Sequence, residues 1–144
     1  MTRRDAVLFD LDGTLCDTAT VEHLVAGDDK DFAAFHRASA GCPTRPEVEA
    51  ALRDAQDRGL AVILWTAREF VWRDLTLDWL DRHHLAHEGL YMRISADYRP
   101  AVTIKTGLLD DIADDGFTVV EAWEDDPKVV DLLRARGVSE LHQV

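Results

Sequence analysis

The sequence predicts a doubly wound α/β domain on a parallel sheet of about five strands. Two patterns carry that prediction. Short apolar runs rich in Val and Ile, "DAVLFD" (5–10), "LAVILWT" (60–66) and "TVVEAW" (118–123), are bounded by polar residues or Gly, as strands buried on both faces are. Helical patterns with start and stop signals lie between them, so strand and helix alternate along the chain.

Taken in order, the first strand, 5–10, ends in the acidic turn "DLDGT". The next segment, 16–43, breaks the rhythm, with two weak helical patches where a short loop and a helix are expected. Ligands of such folds bind outside the carboxyl ends of the strands, so 16–43 is placed to cover the site. "TRPEVEAALRDAQDRG" then predicts a helix: Thr44 and Glu47 stand at capping-box spacing, Pro46 opens the first turn, Val48, Leu52 and Ala55 share a face, and Gly59 stops it. After the strand 60–66, "EFVWRDLTLDWLDRHH" (69–84) places Val71, Leu75 and Trp79 on one helical stripe, widened by Trp72 and Leu80. "LYMRI" (90–94) is a fourth strand candidate, and "TIKTGLL" begins a helix with Lys105 near its start. The strand 118–123 is followed by "DPKVVDLLRARG", with Asp126 placed to cap, Pro127 in the first turn, Val129, Val130, Leu132 and Leu133 inward, and Gly137 at the end. "VSELHQ" (138–143) completes the sheet.

Length and composition agree with one folded unit. The chain has 144 residues, 47% hydrophobic and 31% charged, which predicts a single domain, 1–144, with 16–43 as its cover. No apolar run is long enough to span a bilayer and no cleavable leader opens the chain, so the expected location is the cytoplasm, with no membrane partner. Cys16 and Cys42 are too few for a disulfide framework or a zinc site and read as small buried side chains. The net charge of −12 argues against a protein that tracks a long phosphate backbone through many cations. Residues 68–105 are balanced, with 6 Lys/Arg against 6 Asp/Glu, and recognition of one terminal phosphate remains open.

The chemistry lies in the acidic turn. If the chain is still extended at Asp12, Asp10 and Asp12 project together past the sheet edge, and Gly13 permits the turn. Two close like charges need a cation or a proton to offset them. Mg²⁺, which favours one or two carboxylates plus substrate phosphate oxygens, is the expected solution. More carboxylates should then stand at another strand end, and "VVEAWEDDP" supplies Glu124, Asp125 and Asp126. Thr66 and Arg68, just after the second strand, and Lys105 provide hydroxyl and cationic partners for a phosphate. These parts suit phosphoryl transfer through a carboxylate nucleophile.

"DLDGTL" at 10–15, Thr66 in "ILWTAR", Lys105, and "EDD" after "VVEAW" together resemble the four motifs of the haloacid dehalogenase superfamily of phosphohydrolases, in order and on the matching elements. The resemblance covers nearly the whole chain outside 16–43. Within that superfamily the second half is similar to the 3′-phosphatase module of polynucleotide kinase, in "TAREFVWRDLTLDWL", "LYMRISADYRPAVTIK" and "EDDPKVVDLLRARGV", including Arg99 six residues before Lys105. Two departures stand out: Ala101 and Val102 replace an acidic pair that the bacteriophage enzyme's module carries, and Glu124 replaces an Asp. The resemblance implies that Asp10 attacks phosphorus to give an aspartyl-phosphate, and that Asp12 protonates the leaving group and then activates water. It implies that Thr66 and Lys105 hold the phosphoryl group, with Arg68 and Arg99 as further substrate-binding residues. Mg²⁺ would be bound by Asp10, the backbone carbonyl of Asp12, Asp125, and Glu124 directly or through water.

Other residues read more plainly. Asp126 is expected to cap its helix, His83, His84 and His87 to form a solvated helix end, the four Trp residues to pack, and "DDIADD" (110–115) to be a solvated face. The expected function is Mg²⁺-dependent hydrolysis of a phosphomonoester on a phosphorylated partner, a nucleic-acid 3′ end or a nucleotide. A small-molecule phosphatase and a phosphoacceptor signalling domain are the alternatives. Asp12, poised to activate water, favours turnover over signalling.

Overall fold

A computed structural model describes residues 2–144. Five strands, β1 (Arg4–Asp10), β2 (Ala61–Glu69), β3 (Gly89–Arg93), β4 (Phe117–Glu124) and β5 (Glu140–Gln143), form one sheet in the order β3-β2-β1-β4-β5. Every pairing is parallel. All five predicted strands are present, and the architecture is the doubly wound α/β fold expected. The chain runs outward from β1 through β2 to β3, then returns to the other side of β1 with β4. The crevice between the carboxyl ends of β1 and β4 is therefore the switch point at which such sheets bind ligands.

Alternation along the central strands sorts the core. Val7 and Phe9 of β1, with Val62 and Leu64 of β2, pack under α2 (Pro46–Asp57) and α3 (Arg73–Arg82), against Val48, Leu52, Trp79 and Leu80. Ala6 and Leu8, with Ala61, Ile63 and Trp65, face α4 (Ala101–Asp114) and α5 (Pro127–Ala135), against Ile104, Leu108, Ile112, Val129 and Leu133. This parity carries Asp10 and Trp65 onto the face covered by α4, where Lys105 lies.

The segment 16–43 holds a 3₁₀ turn at Glu22–Val25 and one helix, α1 (Phe32–Ser39), capped by Asp31, whose carboxylate accepts the Ala34 N–H at 3.0 Å. Cys16 and Cys42 at its two ends are buried free thiols, as expected. Asp126 caps α5 by accepting from the Lys128 N–H at 2.9 Å, also as expected. No helix among the described residues is long and apolar enough to cross a membrane.

Two local expectations fail. Thr44 does not form a capping box: α2 begins at Pro46 with Arg45 as its cap, and the Thr44 hydroxyl bonds Glu49 instead at 3.1 Å. A backbone bridge between Thr44 and Cys16 holds that residue one position too early to cap. The helix read over 69–84 is also shorter. The strand continues to Glu69, a 3₁₀ turn takes Phe70–Trp72, and α3 starts at Arg73. Val71 is consequently 68% exposed, and Thr76, Trp79 and Leu80 form the buried stripe. The extension of β2 carries Arg68 past the sheet into the site.

Candidate active site

Asp10, the last residue of β1, is 5% exposed. Its Oδ1 accepts a hydrogen bond from Lys105 Nζ at 2.8 Å, and its Oδ2 accepts from the Thr14 hydroxyl at 3.0 Å. Lys105 also donates to Glu124 Oε1 at 2.6 Å and lies 4.7 Å from the centre of the Trp65 ring. The other Glu124 oxygen accepts the backbone N–H groups of Asp125 and Asp126 at 3.1 and 3.2 Å, which shapes the turn that ends β4. Asp125 comes within 3.2 Å of Thr14 through Oδ1. Asp10, Glu124 and Asp125 each place a carboxylate oxygen within 4.8 Å of the others.

Two of these three carboxylates, Asp10 and Glu124, pair with the one buried ammonium. Burial would lower the Lys105 pKa, but the charges of Asp10 and Glu124 raise it above the ordinary lysine value. For Asp10 burial works upward, and the Lys105 charge with hydrogen bonds to Asp125, Lys105 and Glu124 outweighs it, holding the group below the usual carboxylate range. Burial and the Asp10 charge push Glu124 up to about 9. Burial, with the hydrogen bond to Asp10 and its charge, pushes Asp125 up to about 7. The cluster is short of positive charge, and its donors are hard carboxylate oxygens around one space. That donor set fits a divalent cation such as Mg²⁺, which would take the place of the protons.

Asp12 has a different partner. Its carboxylate accepts two bonds from Arg68, from Nε to Oδ2 at 2.9 Å and from Nη2 to Oδ1 at 2.6 Å. Arg68 is 4% exposed, and it also donates to Ser39 Oγ of α1 at 3.0 Å and to Thr76 Oγ1 of α3 at 2.9 Å. Four of the five Arg68 donors are thus engaged, two of them with Asp12, and Arg68 also lines the cavity. Thr66 is buried at the end of the sheet, and its Oγ1 accepts the Arg68 N–H at 3.1 Å. Its own hydroxyl hydrogen is left for a ligand. Arg99 stands at the rim, 63% exposed at the side chain and paired with Asp97 at 2.6 Å. Arg93 holds that loop through bonds to the carbonyls of Ala67, Asp97 and Arg99.

Asp10, Asp12, Thr66, Arg68, Arg99, Lys105, Glu124 and Asp125 all line one cavity of about 880 Å³. The sequence reading missed several of its supports. Thr14 clamps Asp10 toward Asp125, and its place four residues after Asp10 was the available signal. Gly13 has a φ of +82°, and a Cβ there would fall 2.3 Å from Asp125 Oδ2, so glycine is required for close approach as well as for the turn. Ser39, Thr76 and His36 carry no sequence signal, because they reach the site from helices distant in the chain.

This site on this sheet defines a phosphatase of the haloacid dehalogenase superfamily. The comparisons make the assignment narrower. Residues 4–144 match the family described as the polynucleotide kinase PNKP phosphatase domain, and the chain belongs to that family. A chain of the Pnkp1/Rnl/Hen1 complex is 27% identical, with a TM-score of 0.81 over 100% of this chain and 47% of its own. A chain of the Pnkp1/Rnl/Hen1 RNA repair complex is also 27% identical, with a TM-score of 0.82 over 99% of this chain and 42% of its own. The present chain therefore spans less than half the length of either. A class C acid phosphatase from Bacillus anthracis, 13% identical with a TM-score of 0.73 over 99% of this chain and 67% of its own, shares the fold. No curated protein sequence matches.

Proposed function

We propose that the chain is a Mg²⁺-dependent phosphomonoesterase that removes a terminal phosphate, from a polynucleotide 3′ end or a nucleotide, through an aspartyl-phosphate on Asp10. The observation that carries this reading is the separation of the two carboxylates. Asp10 is held between Lys105 and Thr14, while Asp12 is held by Arg68. One carboxylate is thereby kept ionised for attack, and its neighbour is positioned to move a proton.

In the first step Asp12, freed at one oxygen from its pair with Arg68 as substrate enters and protonated from solvent, gives that proton to the leaving oxygen as an Asp10 carboxylate oxygen bonds to phosphorus and the ester P–O bond breaks. In the second, Asp12 takes a proton from water, the water oxygen bonds to phosphorus, and the bond to Asp10 breaks to release phosphate. Thr66 donates its free hydroxyl hydrogen to a phosphoryl oxygen, and Lys105 offsets the charge shared by Asp10 and the phosphoryl group. Arg68 fixes the Asp12 carboxylate in one orientation. Mg²⁺, held by Asp10, the Asp12 backbone carbonyl and Asp125, with Glu124 beside them, would supply polarisation of a phosphoryl oxygen and further charge neutralisation.

The family supports the substrate class, as does the likeness to a chain of an RNA repair complex. The test is hydrolysis of an aryl phosphate with and without Mg²⁺, followed by a panel of 3′-phosphorylated oligonucleotides, mononucleotides and sugar phosphates. Activity should need Mg²⁺, vanish in Asp10→Asn and favour the oligonucleotide. Full activity in that variant or with a chelator would sink the mechanism, and equal use of sugar phosphates would remove the polynucleotide reading.

A further inference from the structure

Trp65 is the largest of the fully buried side chains, and its burial carries a cost. It is 0% exposed, in the apolar layer between the sheet and α4, yet its Nε1 is buried without a hydrogen-bond partner. Leu or Phe at the same place would fill the layer without stranding a donor. Packing alone therefore does not account for an indole here, and a buried unpaired group of this kind calls for another reason.

The reason lies in what the ring faces. The parallel register sets Trp65 directly beside Asp10, and both side chains turn toward α4. Lys105, one turn into α4, brings its ammonium down to them. Its Nζ lies over the Trp65 ring at 4.7 Å from the centre, while it donates to Asp10 Oδ1 at 2.8 Å and to Glu124 Oε1 at 2.6 Å. Two carboxylates and one π face thus enclose an ammonium that is 4% exposed. A cation–π contact strengthens when water is excluded, and the Trp ring attracts a cation more than Tyr or Phe does.

The two kinds of partner behave differently during phosphoryl transfer. When an Asp10 oxygen bonds to phosphorus, the carboxylate charge passes to the phosphoryl group, and the hold of Asp10 on Lys105 weakens. Glu124 keeps its own hydrogen bond and would draw the ammonium aside. The ring has no charge to lose and is fixed in the core. We infer that Trp65 is a positioning residue for phosphoryl transfer, whose π face keeps the Lys105 ammonium within reach of Asp10 before and after the aspartyl-phosphate forms. The inference rests on the phosphatase reading above, in which Lys105 offsets the charge shared by Asp10 and the phosphoryl group.

Fluorine withdraws electron density from the indole face and adds little volume. Tryptophan carrying one, two or three ring fluorines, inserted at position 65 alone, therefore grades the attraction while keeping the packing. With an aryl phosphate at saturating Mg²⁺, kcat should fall at each step, to about tenfold below the parent with three fluorines, with little change in Tm. Trp65→Leu, which has no π face, should lower kcat at least as far, and Trp65→Phe should recover part of the loss. In Lys105→Met the fluorine series should be flat, because no cation faces the ring. A kcat constant across the series in the parent overturns the proposal, as does an equal fall with and without Lys105. Full kcat in Lys105→Met would instead sink the part that the phosphatase reading gives to Lys105.

Discussion

The Asp12 carboxylate is held at both oxygens by the guanidinium of Arg68, at 2.9 Å from Nε and 2.6 Å from Nη2. The same guanidinium ties α1 to α3 through Ser39 and Thr76. One buried side chain thus couples the orientation of the proton carrier to the seating of the segment above the site.

Arg68→Ala should therefore damage both stability and turnover. Removing one partner of a buried pair costs about 3 kcal/mol, expected as a fall in Tm of about 10 °C in thermal denaturation. Misplacing Asp12 should lower kcat about 100-fold. Arg68→Lys keeps the charge but not the planar fork, so it should recover part of the Tm and little of the kcat. Recovery of kcat by lysine would show that charge alone is needed at this position.

Gly13→Ala tests the close approach to Asp125. The left-handed φ of +82° alone costs an alanine about 1 kcal/mol, and the 2.3 Å contact forces Asp125 to move. Displacing a candidate ligand should raise the Mg²⁺ concentration for half-maximal activity about tenfold. A metal titration of activity checks it, and an unchanged half-saturation point would place Asp125 outside the metal site.

The centre of the sheet was legible in the sequence because β1 and β2 are buried on both faces and read as apolar runs, whereas the edge strands β3 and β5 are mostly half-buried and give weaker signals. The acidic and cationic site residues were legible because they fall at strand ends or early in a helix. What escaped depends on tertiary contact. Periodicity placed Val71 in a helix because nothing in "TAREFVW" shows that the strand must run on to bring Arg68 to Asp12. That Arg68 also bonds Ser39 and Thr76 could not be read in advance, since those residues come from separate helices. His36 looked like any residue of a weak helical patch until α1 was seen to overhang the carboxylates.

Without a cation the carboxylate cluster makes stability depend on pH. Burial raises Asp125 to about 7 and Glu124 to about 9. Groups with a raised folded pKa stabilise the fold fully below their unfolded value and lose that contribution as pH rises through the folded one. The Tm in the presence of a chelator should accordingly fall from about pH 4, where the unfolded carboxylates ionise, until about pH 9, with Glu124 alone carrying the fall above pH 7. Mg²⁺ should raise the Tm most at the upper end of that window, where protons no longer compete with it. Thermal scans with chelator and with Mg²⁺ check this, and a metal-free Tm flat from pH 7 to pH 9 would contradict it.

The central claim, that Asp10 is the nucleophile and Asp12 the proton carrier, is tested most directly by trapping the intermediate. An aryl leaving group departs without a proton, so Asp12→Asn supplied with an aryl phosphate and Mg²⁺ should still be phosphorylated, while the water that clears the intermediate is no longer activated. Acid quenching and peptide mass spectrometry should then find one phosphoryl group on Asp10 and none in the Asp10→Asn, Asp12→Asn double variant. A phosphoryl group on another residue, or steady turnover by Asp12→Asn with none on Asp10, would contradict the account.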